Sequence, residues 1–461
     1  MKISVRTMFA LSILVPMTVF ANERHEKKEI HWESNGYGFV LKDDGDKITF
    51  YDVTKKHCLI NKRKSEFYSQ HKIERTNESQ ALFEIGAVHK LKLNKLDRLP
   101  ELCVNPIKRQ GDKGYKFNAV QVFDIFWQTF DEHFAFNPLI KWDWRSEYSQ
   151  WKAKVHSNTT EAELLAILDE FLFKLDDGHA SIEDQDDDRI SYHNSRDLAF
   201  SQRAESDFKN QTEHKSLRDY HDYQLSKSIE NTAKYFDSTY KIRKLSWNVL
   251  FAQLPRKLSY LRIDDMYDFS KDETADSDVE SVNKMMNRIM PEISNSKGVI
   301  IDLRWNGGGE DLVSKQFLSY FIGKQLNSGS KKYKRLNGFS KPKNIIIEPN
   351  VQNPFLGNVV VLTSQLTSSA AEAFLIYMKA RGNVTFIGEN TNGILSDMLV
   401  KELPNGWSLT LSNEQYFDIE GNIFEFVGFP VSKHFEYFNA QDLEKGIDPA
   451  LEEAMKILTK L

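Results

Sequence analysis

A repeated passage from an apolar strand through a glycine or serine turn into a helix constrains this chain more than any other feature. Gly298-Val-Ile-Ile-Asp-Leu-Arg304 is too short for a buried helix and opens onto Asn306-Gly-Gly-Gly309, with a helix expected from about Leu312. Asn358-Val-Val-Val-Leu-Thr363 repeats the pattern with a helix from Ser369, and Asn383-Val-Thr-Phe-Ile387 adds a strand. Tyr260 to Ile263 and a helix over roughly Asp278 to Ile293 precede them. Continuous apolar strands alternating with helices need cover on both faces, so 246–461 reads as a layered α/β domain within an α+β multidomain chain.

Upstream the periodicity changes. Residues 30–107 carry short alternating runs, such as Tyr37-Gly-Phe-Val-Leu41 and Lys47-Ile-Thr-Phe-Tyr51 on either side of Asp43-Asp-Gly-Asp46, and read as a small β domain. Residues 115–180 read as a helical module. Val122, Phe123, Phe126, Trp127, Phe130 and Phe134 recur at helical spacing, and a second helix opens on the capping box Thr160 and Glu163. That helix is expected to stop at Gly178. Residues 181–245 are polar, with the acidic run Glu183 to Asp188, and read as a partly helical connector.

The 461 residues exceed one ordinary core. A net charge of -5, with both signs dispersed, gives no basic footprint for nucleic acid. Lys2 and Arg6 precede an apolar stretch from Met8 to Phe20 that ends beside Ala21, the pattern of a secretory signal over 1–21. About 13 apolar residues fall short of the ~20 that span a bilayer, so no stable membrane span is expected after cleavage. The mature chain is then expected outside the cytoplasm, periplasmic or secreted, where Cys58 and Cys103 could pair or remain two thiols.

Several residues carry candidate chemistry. Ser369 begins a helix, where free N–H groups and the helix dipole would stabilise an oxyanion, yet with Glu372 it also forms an ordinary capping box. Asn306-Gly-Gly-Gly309 could present N–H groups to an oxyanion or form a plain tight turn. No Gly-Lys-Ser/Thr follows, which weakens a phosphate-loop reading. His179 lies past a helix C-terminus, where the dipole favours imidazolium and suits a general base, although a lone His is more often structural. Glu425, in Ile423-Phe-Glu-Phe-Val-Gly428, is by strand alternation turned to solvent unless it serves a partner. No metal motif occurs and no cofactor is expected.

Read jointly, Leu172-Phe-Lys-Leu-Asp-Asp-Gly-His179, Val299-Ile-Ile-Asp-Leu-Arg-Trp-Asn-Gly-Gly-Gly309, Leu366-Thr-Ser-Ser-Ala-Ala-Glu372, Gly388-Glu-Asn-Thr-Asn-Gly393 and Glu425-Phe-Val-Gly-Phe-Pro430 form an ordered set. This set resembles the C-terminal-processing (tail-specific) serine proteases, in their tricorn-like branch. The resemblance covers about Asn118 to Leu461 and implies a crotonase/ClpP-like layered protease domain. It maps the nucleophile onto Ser369 and the oxyanion donors onto the N–H groups of Ala370 and Gly308. Where the Ser/Lys branch has its lysine this chain has Ile394, so the resemblance places His179 as base and Glu425 as the carboxylate behind it. It implies a serine endopeptidase acting on polypeptide substrates. A peptide- or ligand-binding protein on the same scaffold is the alternative. The connector shows no PDZ-like carboxylate-binding loop.

Overall fold

The structure is a computed structural model that describes residues 29–460 apart from 69–70, 86, 137–138, 141, 185–190, 194–197 and 273. The expected signal over 1–21 and most of the acidic run lie outside the described residues.

The N-terminal part is a seven-stranded antiparallel sheet, ordered Cys58–Asn61, Ile48–Val53, Phe39–Asp43, Ile30–Ser34, Leu91–Leu96, Gln80–Phe83 and Glu74–Arg75. Trp32 pairs with Leu41, and Leu41 with Phe50, which puts three large side chains in register on one face. That face packs on the helices Ala119–His133 and Glu161–Leu175 through Phe126, Phe130, Leu168 and Phe171. Leu399, Leu409 and Leu411, from the far C-terminal strands, complete the same core. The β sheet and the helical module therefore share one interior, which local sequence patterns could not show. Cys58 and Cys103 form a disulfide across 45 residues, closing this part on its other face.

Residues 243–460 hold the layered domain. Its sheet runs Arg243–Lys244, Val249–Leu254, Leu258–Ile263, Gly298–Asp302, Val359–Thr363, Val384–Gly388 and Lys433–His434. Pairing is antiparallel for the first three strands and parallel from Leu258 onward. The helices Ala275–Ser294, Asp311–Leu318 and Ala370–Arg381 cover one face, and Pro449–Lys460 covers the other. All five residues of Val359–Thr363 are buried, as the apolar run requires. Each such aliphatic side chain contributes roughly 1.5–3 kcal/mol by leaving water.

Two segments differ from the sequence expectation. The helix Glu161–Leu175 ends on Asp176 in the left-handed region (φ 56°), not on Gly178, because a short polar residue tolerates that conformation. The connector opens with a strand, Ser181–Glu183, that pairs with Ser408–Ser412, and continues through the helices Ala199–Lys209 and Leu217–Ala233. Among the described residues no helix is long and apolar enough to cross a membrane.

Candidate active site

The two strand-to-helix turns are laced together. From the turn after Val359–Thr363, Ser364 donates to the carbonyl of Arg304 and Thr367 Oγ1 to that of Leu303 at 2.8 Å, while Ser368 N–H reaches the Asn306 carbonyl at 3.0 Å. This lacing holds Ser369 in a conformation rare for a residue with a side chain, φ 53° and ψ −124°. Such a backbone costs on the order of 1–3 kcal/mol and persists only when its surroundings fix it. The glycine turn lies against it: a Cβ on Gly308 (φ +104°) would stand 2.6 Å from Ser369 Cβ and 3.1 Å from Ala370 N. Only glycine permits that approach.

Glu372 is the second anchor of the serine turn. Buried in the first turn of Ala370–Arg381, its carboxylate accepts from Ser369 N–H at 3.1 Å, Gly393 N–H at 2.8 Å, Ile394 N–H at 2.9 Å and the Thr391 hydroxyl. Burial pushes its carboxyl up to about 7, against these four donors. The capping residue thus does more than close a helix. It fastens the Ser369 turn to the segment 391–397.

That segment gathers the other candidates. Leu395 and Ser396 donate their N–H groups to Glu425 Oε2 at 3.0 and 3.1 Å, and Phe426 N–H returns to the Gly393 carbonyl at 2.8 Å. Glu425 is therefore buried in a turn, not on a strand facing solvent. Burial, with Asp177 and Glu372 nearby, holds its carboxyl well above the usual range. The ring of His179 faces the Ser396 carbonyl and feels the charge of Asp397. A Cβ on Gly178 would sit 2.8 Å from Ile394 Cγ2, so glycine before the histidine allows the two segments to touch.

The backbone of His179 is fixed from its other side. Its N–H donates to Asp177 Oδ1 at 2.9 Å, and its carbonyl accepts from Thr410 Oγ1 at 2.6 Å. Burial pushes the imidazole down to about 4, overriding the helix-end dipole that had pointed to imidazolium. The histidine is consequently neutral at physiological pH. Nδ1 of His179 and Oε1 of Glu425 make no hydrogen bond among the described residues, and none joins His179 to Ser369.

The glycine turn also makes a hydrogen bond within itself. Gly308 N–H is engaged by Asn306 Oδ1 at 2.9 Å, because the asparagine side chain folds back within its own turn. Gly309 lines the cleft with Ser369, and Ala370 is the first residue of the helix that follows. Asp397 is a site residue that the sequence did not disclose. Its carboxylate lines the cleft, accepts from Lys331 Nζ and the Tyr416 hydroxyl, both at 2.6 Å, and is held below the usual carboxylate range chiefly by Lys331. No motif marks it.

Residues 257–431, which contain both laced turns, match the family described as Peptidase family S41. The chain carries a peptidase family S41 domain. Tricorn protease of Thermoplasma volcanium is 26% identical over 187 residues, which is 40% of this chain and 16% of that protein. Carboxy-terminal processing protease CtpA of Bacillus subtilis is 32% identical over 130 residues, 28% of this chain and 27% of that protein. The chain thus matches a small part of the length of these curated relatives. Among solved structures, a Parabacteroides merdae protein described as a candidate peptidase superposes with a TM-score of 0.58 at 24% identity, over 74% of this chain and 97% of that one. Mature CPAF complexed with lactacystin gives 0.52 at 13% identity, over 74% and 97%. These likenesses establish the fold around the S41 domain. His179 lies outside the matched residues 257–431, in the helical module.

Proposed function

We propose that the protein is a serine endopeptidase. Ser369 Oγ attacks the scissile carbonyl as His179 takes its proton. The tetrahedral oxyanion is met by N–H groups of Ala370 and the glycine turn, and water hydrolyses the resulting acyl-enzyme. The observation that carries this reading is the segment 391–397, to which Glu372 ties the serine turn and against which His179 and Glu425 both pack. A neutral buried imidazole is in the form needed to accept a proton, and Asp397 would stabilise the imidazolium that forms. Glu425 acts as a positioning residue through the Leu395 and Ser396 amides that it binds.

The same reading places the protein outside the cytoplasm. The apolar leader and the Cys58–Cys103 disulfide both suit an oxidising compartment. The test is digestion of a peptide library by the purified protein. The proposal expects cleavage that Ser369→Ala abolishes and chelators leave unchanged. Absence of cleavage, with the library retained on the protein, would instead support a binding protein on this scaffold.

A further inference from the structure

A cleft of about 300 Å³ opens at Ser369 between the N-terminal sheet and the S41 domain. Phe39, Phe50 and Tyr68 form its aromatic wall, and Glu310, Asp311, Asp397 and Glu414 line it with carboxylates. Three of these are answered from within the protein. Lys331 Nζ stands 2.6 Å from Asp397 and 2.9 Å from Glu414, and the one Tyr416 hydroxyl lies within hydrogen-bond distance of both Asp311 and Asp397.

Glu310 is not answered. Among the described residues no lysine or arginine lies within ion-pair reach of it. Lys64 also lines the cleft, but its Nζ sits 5.2 Å from the centre of the Phe39 ring and its electrostatic partners are Asp52 and Glu402. Burial, and then the charges of Asp397 and Asp278, push the Glu310 carboxyl up to about 7. The charge of Glu310 reaches Tyr68 on the opposite wall, so a carboxylate and an aromatic ring share the same space. An independent feature also awaits a ligand: Asn413, 2% exposed, lines the cleft, and its side-chain Nδ2 has no hydrogen-bond partner. A buried amide donor left unsatisfied costs about 1–3 kcal/mol, which a peptide carbonyl would offset.

We infer that the cleft selects polypeptides with a lysine or arginine side chain beside the scissile bond. Glu310 receives the charge, the Phe50 and Tyr68 rings flank the stem, and Asn413 donates to a main-chain carbonyl. A cation between a carboxylate and an aromatic face gains from both. This inference rests on the peptidase reading of Ser369 and deepens it by naming the substrate class.

The test uses quenched peptides identical but for lysine, arginine, norleucine or glutamate beside the cleaved bond. The full-length protein is expected to favour lysine or arginine over norleucine by about tenfold or more in kcat/KM. Glu310→Gln is expected to bring that ratio to within about twofold, and Glu310→Lys to turn the preference toward glutamate. Because both peptides are read on one preparation, partial unfolding cancels from the ratio. Equal rates for lysine and norleucine peptides, or an unchanged ratio in Glu310→Gln, would overturn the inference while leaving the peptidase intact. If no peptide is cleaved, fluorescence anisotropy of the labelled lysine and norleucine peptides on the Ser369→Ala protein decides separately. Selective lysine binding without turnover keeps the specificity and sinks the peptidase reading. Equal binding sinks both.

Discussion

Burial sets the protonation of His179 against the pull of the preceding helix. The imidazole near 6.5 in an unfolded chain falls to about 4 in the fold. Between those values the unfolded chain binds a proton that the folded one does not. The stability contributed by the neutral ring is therefore full above about pH 6.5 and is lost as pH falls toward about 4, an effect of roughly 3 kcal/mol. Urea midpoints at pH 7.5 and pH 4.5 should fall further apart in the wild type than in His179→Gln. Equal differences would show that the ring is not held neutral. The acid limb that His179 imposes on kcat/KM is likewise expected near pH 4, well below the ordinary histidine value. Ser369 and His179 could be named from the sequence only through the ordered set of motifs, since each alone reads equally as a helix cap or a structural histidine. Asp397 could not, since its meaning comes from Lys331 and Tyr416, which fold toward it from other strands.

At the scale of elements, the helix cap and the glycine before His179 make quantitative claims. Glu372→Gln turns an amide NH2 toward two of the four donors, whichever oxygen it replaces, and is expected to cost about 2–4 kcal/mol in denaturant unfolding, with activity lost alongside. A loss below about 0.5 kcal/mol would mean that the carboxylate is not the fastener described. Gly178→Ala meets Ile394 Cγ2 and is expected to lower stability by about 1–3 kcal/mol, while the added change Ile394→Ala should recover part of that loss. Strictly additive effects would contradict the contact. The strands and helices themselves were legible, because unbroken apolar runs bounded by Gly and Ser admit few alternatives. The end of the helix at Asp176 was not legible, since the glycine two residues on is there for close packing and the cap falls to a polar residue.

Across the whole molecule the N-terminal sheet is part of the cleft. Lys401 pairs with Asp52 at 3.1 Å across 349 residues, Arg109 pairs with Glu402, and Tyr37 donates to Glu414 at 2.5 Å. No local pattern announces contacts so distant, which is why the sheet read as a separate domain. The disulfide that closes this part should matter to substrate binding as well as to stability. Replacing both Cys58 and Cys103 by serine removes a crosslink spanning 45 residues, worth at most about 4 kcal/mol, and is expected to raise KM more than it lowers kcat. An unchanged KM would detach the sheet from recognition. The most direct test of the central claim is the rate at which a fluorophosphonate labels the protein, with the modified residue located by peptide mapping. Labelling at Ser369, slowed by about 10³-fold or more in His179→Ala, is the predicted result. No labelling of Ser369, or an undiminished rate without the imidazole, would contradict it.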